Sequence, residues 1–135
     1  MTKRIVALIL TVLMVFGAVG TVFASTGNPK IDYLVETGLV QGDGSGNLNL
    51  HSTVTRAEMA ALIARLLDLE VQAQALQHNP TGFYDLPAGH WSAGYVNAIK
   101  AKNIINGYPD GSFKPNNPVT YQEAITMMAR TAKDF

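Results

Sequence analysis

Apolar residues recur at helical spacing in four stretches of this chain, with turn-forming residues between them. Ile31, Leu34 and Val35 form one stripe; Met59, Leu62, Ile63, Leu66 and Leu67 a second; Tyr95, Val96 and Ile99 a third; Ile125 and Met128 a fourth. Residues three or four apart share a helix face, so each set predicts an amphipathic helix with one buried side. The boundaries are written in the neighbouring residues. Asn28 and Pro29 suit a cap and a first helical position, and Gly38 suits a stop. Thr55-Arg56-Ala57-Glu58 and Thr120-Tyr121-Gln122-Glu123 each carry a capping box, in which Thr and Glu satisfy backbone N–H groups that the first turn leaves unpaired. A helix from about Ser92 to Lys102 is expected to close at Asn103, a residue type that tolerates the left-handed conformation. Tyr108-Pro109-Asp110-Gly111 has Pro and Gly where a type I turn wants them, and Pro115 and Pro118 hold off helix until Thr120.

Shifting the chain by the 65 positions from Thr55 to Thr120 aligns these features without a gap. Gly38 meets Asn103, Leu39-Val40 meets Ile104-Ile105, Gly42 and Gly46 meet Gly107 and Gly111, Leu48 meets Phe113, and Ala64-Arg65 meets Ala129-Arg130. The chain therefore reads as a helix-loop-helix unit used twice. The stretch from Phe83 to Trp91 has no counterpart in the first copy, which lacks its opening loop. The expected organisation is a signal segment over 1–24, a partial repeat over 25–69, a linker over 70–82 and a full repeat over 83–135. The fold class is mostly α, in tandem helix-loop-helix repeats.

The first 24 residues add a destination. Lys3-Arg4, a charge-free apolar run from Ile5 to Val15 and small Ala24 before Ser25 are the three parts of a secretory signal. The competing reading is a retained membrane helix, because Ile5 to Ala24 spans about the 20 residues that cross a bilayer. Ten basic and ten acidic residues give zero formal charge, and removing Lys3 and Arg4 leaves eight basic against ten acidic. Such a balance supplies no field for a phosphate backbone, so nucleic acid is not an expected partner. The 135 residues include no Cys, which excludes disulfides and thiolate metal sites.

Several uncommon motifs occur together and in order: Phe83-x-Asp85-x-Pro87-x-x-His90-Trp91, Ile104-Ile105-x-Gly107-Tyr108-Pro109-Asp110-Gly111-x-Phe113-x-Pro115, and Val119-Thr120-x-x-Glu123. This pattern resembles the S-layer homology (SLH) domain, over one full repeat and the back two-thirds of another. The resemblance implies an exported module that attaches non-covalently to the cell surface by gripping bacterial secondary cell-wall polysaccharide, which in the family often carries a pyruvate ketal. It also implies three repeats with sugar grooves between neighbours, a count this chain departs from. The alternative is a structural or regulatory module that associates with other SLH-bearing proteins and binds no sugar itself; self-association or docking with other SLH repeats is a further expected partnership.

The resemblance assigns the ligand carboxylate to Arg56 of Thr55-Arg56-Ala57-Glu58. Thr120-Tyr121-Gln122-Glu123 lacks that cation. The same chemistry can be argued from the residues. An arginine at the positive end of a helix dipole is unfavourable by about 0.3–1 kcal/mol, and if the capping box occupies the Thr55 and Glu58 N–H groups, those of Arg56 and Ala57 stay open for an anion. The competing role is a solvated surface arginine. Trp91 is expected to pack and to offer its indole to a sugar C–H face, and Asp85 to accept a sugar hydroxyl or cap its own turn. Tyr108 and Gly111 are expected turn residues beside the ligand. Thr55, Glu58, Thr120 and Glu123 are expected structural caps. No nucleophile elbow, paired carboxylates or histidine pair at ligand spacing occurs, so neither catalytic nor metal residues are expected, and no cofactor.

Overall fold

The computed structural model describes residues 25–42, 45 and 47–134. The expected signal segment lies outside them, as does part of the Gly42–Asn47 turn cluster. Five α-helices follow in order: α1 (Pro29–Glu36), α2 (Arg56–Leu66), α3 (Glu70–Ala75), α4 (Ala93–Ala101) and α5 (Tyr121–Thr131), with a 3-10 turn at Ala132–Asp134. Among the described residues no β-strand forms, and the one extended pairing is an isolated bridge between Thr55 and Pro118. The expected mostly α repeat architecture is the one observed.

The predicted boundaries hold in atomic detail. The Asn28 side chain accepts from the Lys30 N–H at 3.0 Å, and Gly38 ends α1 at φ +75°. Both capping boxes are complete. Glu58 N–H donates to Thr55 Oγ1 at 3.2 Å and Thr55 N–H to Glu58 Oε2 at 2.8 Å; the Thr120–Glu123 pair repeats this at 3.2 and 2.9 Å. Backbone geometry also repeats. Gly38 and Asn103 both take positive φ, and so do Asn49 (49°) and Lys114 (57°), again 65 positions apart.

The core lies where α2 crosses α4 and the loop that follows α4. Ala60, Ile63 and Ala64 of α2 meet Val96 and Ile99 of α4, with Leu86, Ile104, Ile105 and Phe113 closing the cluster from the loops. Alanines on α2 keep this crossing close. Burying one side chain of this size removes enough apolar surface to contribute about 1.5–3 kcal/mol, so the cluster is the main source of cohesion.

The stretch expected as a linker, 70–82, is more than a connector. It contains α3, which packs on α4 with Ala73 buried. Gly94 allows the approach: a Cβ there would lie 2.0 Å from the Ala73 carbonyl oxygen. Periodicity does not announce this helix, because its contact is made by backbone and small residues rather than by an apolar stripe. Helix α1, by contrast, has no buried residue and contacts no other helix among the described residues.

Candidate functional site

Arg56 is the pivot between the two units. Its position at the first turn of α2 follows from the Thr55 cap, and that turn is wrapped by the second unit's loop. The Arg56 and Ala57 N–H groups donate to the Asn117 and Pro115 carbonyls at 2.9 and 3.0 Å, and Val119 N–H donates to the Val54 carbonyl at 2.9 Å. The guanidinium is likewise occupied. Nε donates to the Phe113 carbonyl at 2.7 Å, Nη2 to the Asn106 carbonyl at 3.2 Å, and Nη1 pairs with Glu123 Oε1 at 3.0 Å. Tyr108 and Phe113 lie against it, their ring centroids 4.6 and 4.9 Å from Cζ. With 3% exposure, Arg56 is neither a solvated surface arginine nor an open cation with free N–H groups beside it. That expectation is corrected: loop carbonyls, invisible in a side-chain pattern, accept from both N–H groups and from Nε and Nη2, and Glu123 takes Nη1.

Glu123 has two jobs. It completes the Thr120 cap, and it accepts from both Arg56 and the Tyr108 hydroxyl. Burial pushes its carboxyl up, but the bonds from Tyr108 and Thr120 and the Arg56 charge outweigh that and hold it below its ordinary value. Burial first, and then the bond to Glu123, pushes the Tyr108 hydroxyl up. The network is an arginine, a carboxylate and a phenol locked together at the joint.

Beside this joint opens a cleft of about 240 Å³. One wall is the loop from Ile104 to Tyr108, the other is the α5 face bearing Gln122, Thr126 and Arg130, and Arg56 and Glu123 lie between. Arg130 differs from Arg56 in being only partly engaged. Its Nη1 donates to the Ile104 carbonyl at 3.3 Å, and its other guanidinium N–H groups have no protein acceptor among the described residues. Sequence reasoning matched Arg130 to Arg65 as a repeat position and missed it as a site residue. The available signal was the i, i+4, i+8 spacing of Gln122, Thr126 and Arg130, which places them on one helix face.

Of the five residues expected to touch a ligand, Arg56 and Tyr108 line this cleft. Asp85, Trp91 and Gly111 do not. Asp85 accepts from the Phe113 and Lys114 N–H groups at 2.7 and 2.8 Å, so it clamps the far loop rather than its own turn. Trp91 is 51% exposed and tilted against His90. Gly111 closes the Tyr108 turn, its N–H donating to the Tyr108 carbonyl at 3.0 Å with φ +83°. Asp110 is held low by the Ser112 hydroxyl and N–H, which fixes the same turn.

A sequence model of the S-layer homology domain matches residues 25–60 and 82–125 of the chain. The chain is 43% identical over 133 residues to a surface layer protein of Brevibacillus choshinensis, covering 92% of this chain and 12% of that protein. It is 42% identical over 115 residues to the middle cell wall protein of Brevibacillus brevis, covering 79% of this chain and 11% of that protein. A cellulosome-anchoring protein of Acetivibrio thermocellus is 29% identical over 101 residues, 75% of this chain and 22% of that protein. The chain thus spans a small part of the length of each of these relatives.

Proposed function

Because this chain belongs to the S-layer homology domain family, we propose that it is a non-catalytic cell-surface anchoring module that holds an anionic cell-wall polysaccharide in the cleft between α5 and the Ile104–Tyr108 loop, beside Arg56. The observation that carries this reading is Arg130, a largely unengaged guanidinium in a cleft that also presents Gln122 and Thr126. A guanidinium forms paired, charge-assisted bonds to a carboxylate, as on an acidic or ketal-bearing sugar, while amide and hydroxyl groups suit sugar hydroxyls. Arg56 acts here as architecture. It fixes the Asn106 and Phe113 carbonyls and orients Glu123 and Tyr108, so the cleft keeps its shape before ligand arrives.

Sedimentation with purified cell-wall sacculi tests the reading. The exported chain is expected to pellet with intact sacculi and to stay in solution with sacculi stripped of their secondary polysaccharide. Arg130→Gln is expected to lose at least tenfold in affinity, the scale of one lost charge-assisted contact at about 1.5–3 kcal/mol. Equal pelleting with stripped sacculi would overturn the sugar reading and favour a module that packs with other repeat proteins.

A further inference from the structure

Helix α5 repeats α2 at a spacing of 65 residues, but the two equivalent faces have different surroundings. On α2, Ala57, Ala60, Ile63 and Ala64 are at most 2% exposed, beneath α4 and its following loop. On α5 the matching Gln122, Ile125, Met128 and Ala129 are exposed, Ile125 at 49% and Met128 at 57%. The backbone repeats the contrast. Arg56 and Ala57 donate to the Asn117 and Pro115 carbonyls, whereas the Tyr121 and Gln122 N–H groups have no acceptor among the described residues.

The other half of the same joint is open on the first unit. Helix α1 is the repeat equivalent of α4, yet Leu34 is 37% exposed where its match Ile99 is fully buried, and Tyr33 is 63% exposed where Ala98 is buried. The Asn49–Ser52 turn matches the docking turn of the second unit. Ser52 N–H donates to the Asn49 carbonyl at 2.9 Å as Asn117 N–H does to Lys114 at 3.2 Å, over matching left-handed residues. The Leu50 and Ser52 carbonyls therefore stand where Pro115 and Asn117 stand in the second unit. Neither accepts a hydrogen bond among the described residues.

We propose that two copies of this chain associate head to tail, the α5 face of one receiving α1 and the Asn49–Ser52 turn of the other. The arrangement is the one that α2 makes with α4 and the loop 103–118 inside each chain. Tyr121 and Gln122 N–H groups then meet the Ser52 and Leu50 carbonyls of the second copy. Side-chain volume is compatible, since Ile125 is larger than Ala60 while Leu48, on the facing side, is smaller than Phe113. The joint is weaker than its internal counterpart, because Tyr121 stands where Arg56 supplies three polar ties. Its two surfaces differ, so the contact is heterologous and each copy brings one of each.

Sedimentation equilibrium on the exported chain decides it. The wild type is expected to self-associate with rising concentration, and Ile125→Asp and Leu34→Asp are each expected to abolish this. An equimolar mixture of these two variants is expected to restore a pair of one copy each, because one retains an intact α1 surface and the other an intact α5 surface. Met128→Glu and Tyr33→Glu repeat the test at positions 57% and 63% exposed, and circular dichroism melts confirm that all four fold. A wild type that stays monomeric throughout would overturn the proposal. So would a Leu34→Asp chain that associates like wild type, the result if α5 meets α5, or a mixture that stays monomeric.

Discussion

Helices α2 and α5 begin with the same Thr-x-x-Glu cap and share an Ala-Arg pair near their ends, yet seven residues of α2 are buried and only two of α5. The difference teaches what a repeat does and does not encode. Caps, turns and left-handed stops are local, so both copies reproduce them. Burial is a property of the neighbour. Helix α2 meets the loop of the next unit, and that meeting converts Arg56 from a helix-start residue into the buried tie between units. Helix α5 has the same local structure without such a neighbour among the described residues.

The comparison breaks most directly at Arg56. Replacing it with Ala leaves Glu123 and the Phe113 and Asn106 carbonyls without their partner, and breaking a buried pair in this way costs about 3–5 kcal/mol. Urea denaturation is expected to show that loss, with Arg65→Ala far milder, because Arg65 is partly exposed and pairs with the exposed Glu70. Next come equivalent core positions. Ile63→Ala is expected to destabilise by about 2–5 kcal/mol, whereas Met128→Ala, 57% exposed in the single chain, is expected to stay within about 0.5 kcal/mol when measured at low protein concentration. Equal effects would erase the distinction between the two helices.

Acid sharpens the same point. Glu123 has a folded-state pKa below its usual 4.5, so its contribution is present above that value and lost as pH falls through the folded value. Glu123→Gln is expected to be less stable near neutral pH but to lose stability less steeply on acidification, read from melts at stepped pH. The caps are expected to weigh alike in both copies. Thr55→Ala is expected to cost about 1 kcal/mol, and Thr120→Ala a similar amount, since the same bonds are lost in both copies.

Much of this was legible in the residues. The 65-residue repeat, both capping boxes, the Gly38 and Asn103 stops and the Tyr108–Gly111 turn are dictated by side-chain chemistry over a few positions, and each is observed. The joint was not legible, for a physical reason. Arg56 is held by carbonyls, which every residue carries, on a loop about fifty residues away; no side-chain pattern points to them. Asp85 was misread similarly, because its partners are the N–H groups of Phe113 and Lys114 rather than its own turn. Helix α3 docks by the close approach of Gly94 to a backbone carbonyl, which leaves no apolar stripe in the sequence. Arg130 was overlooked because its role depends on which helix face borders the cleft.

The central claim is that the cleft between α5 and the Ile104–Tyr108 loop binds an anionic wall polymer through Arg130 while Arg56 builds the cleft. Isothermal titration of polysaccharide released from the wall into wild type and Arg130→Gln tests it most directly, with thermal melts in parallel. The account predicts saturable binding to wild type, at least tenfold weaker binding to Arg130→Gln, and superimposable melts for the two. Equal affinity of both proteins for the polymer, with both folded, would contradict it.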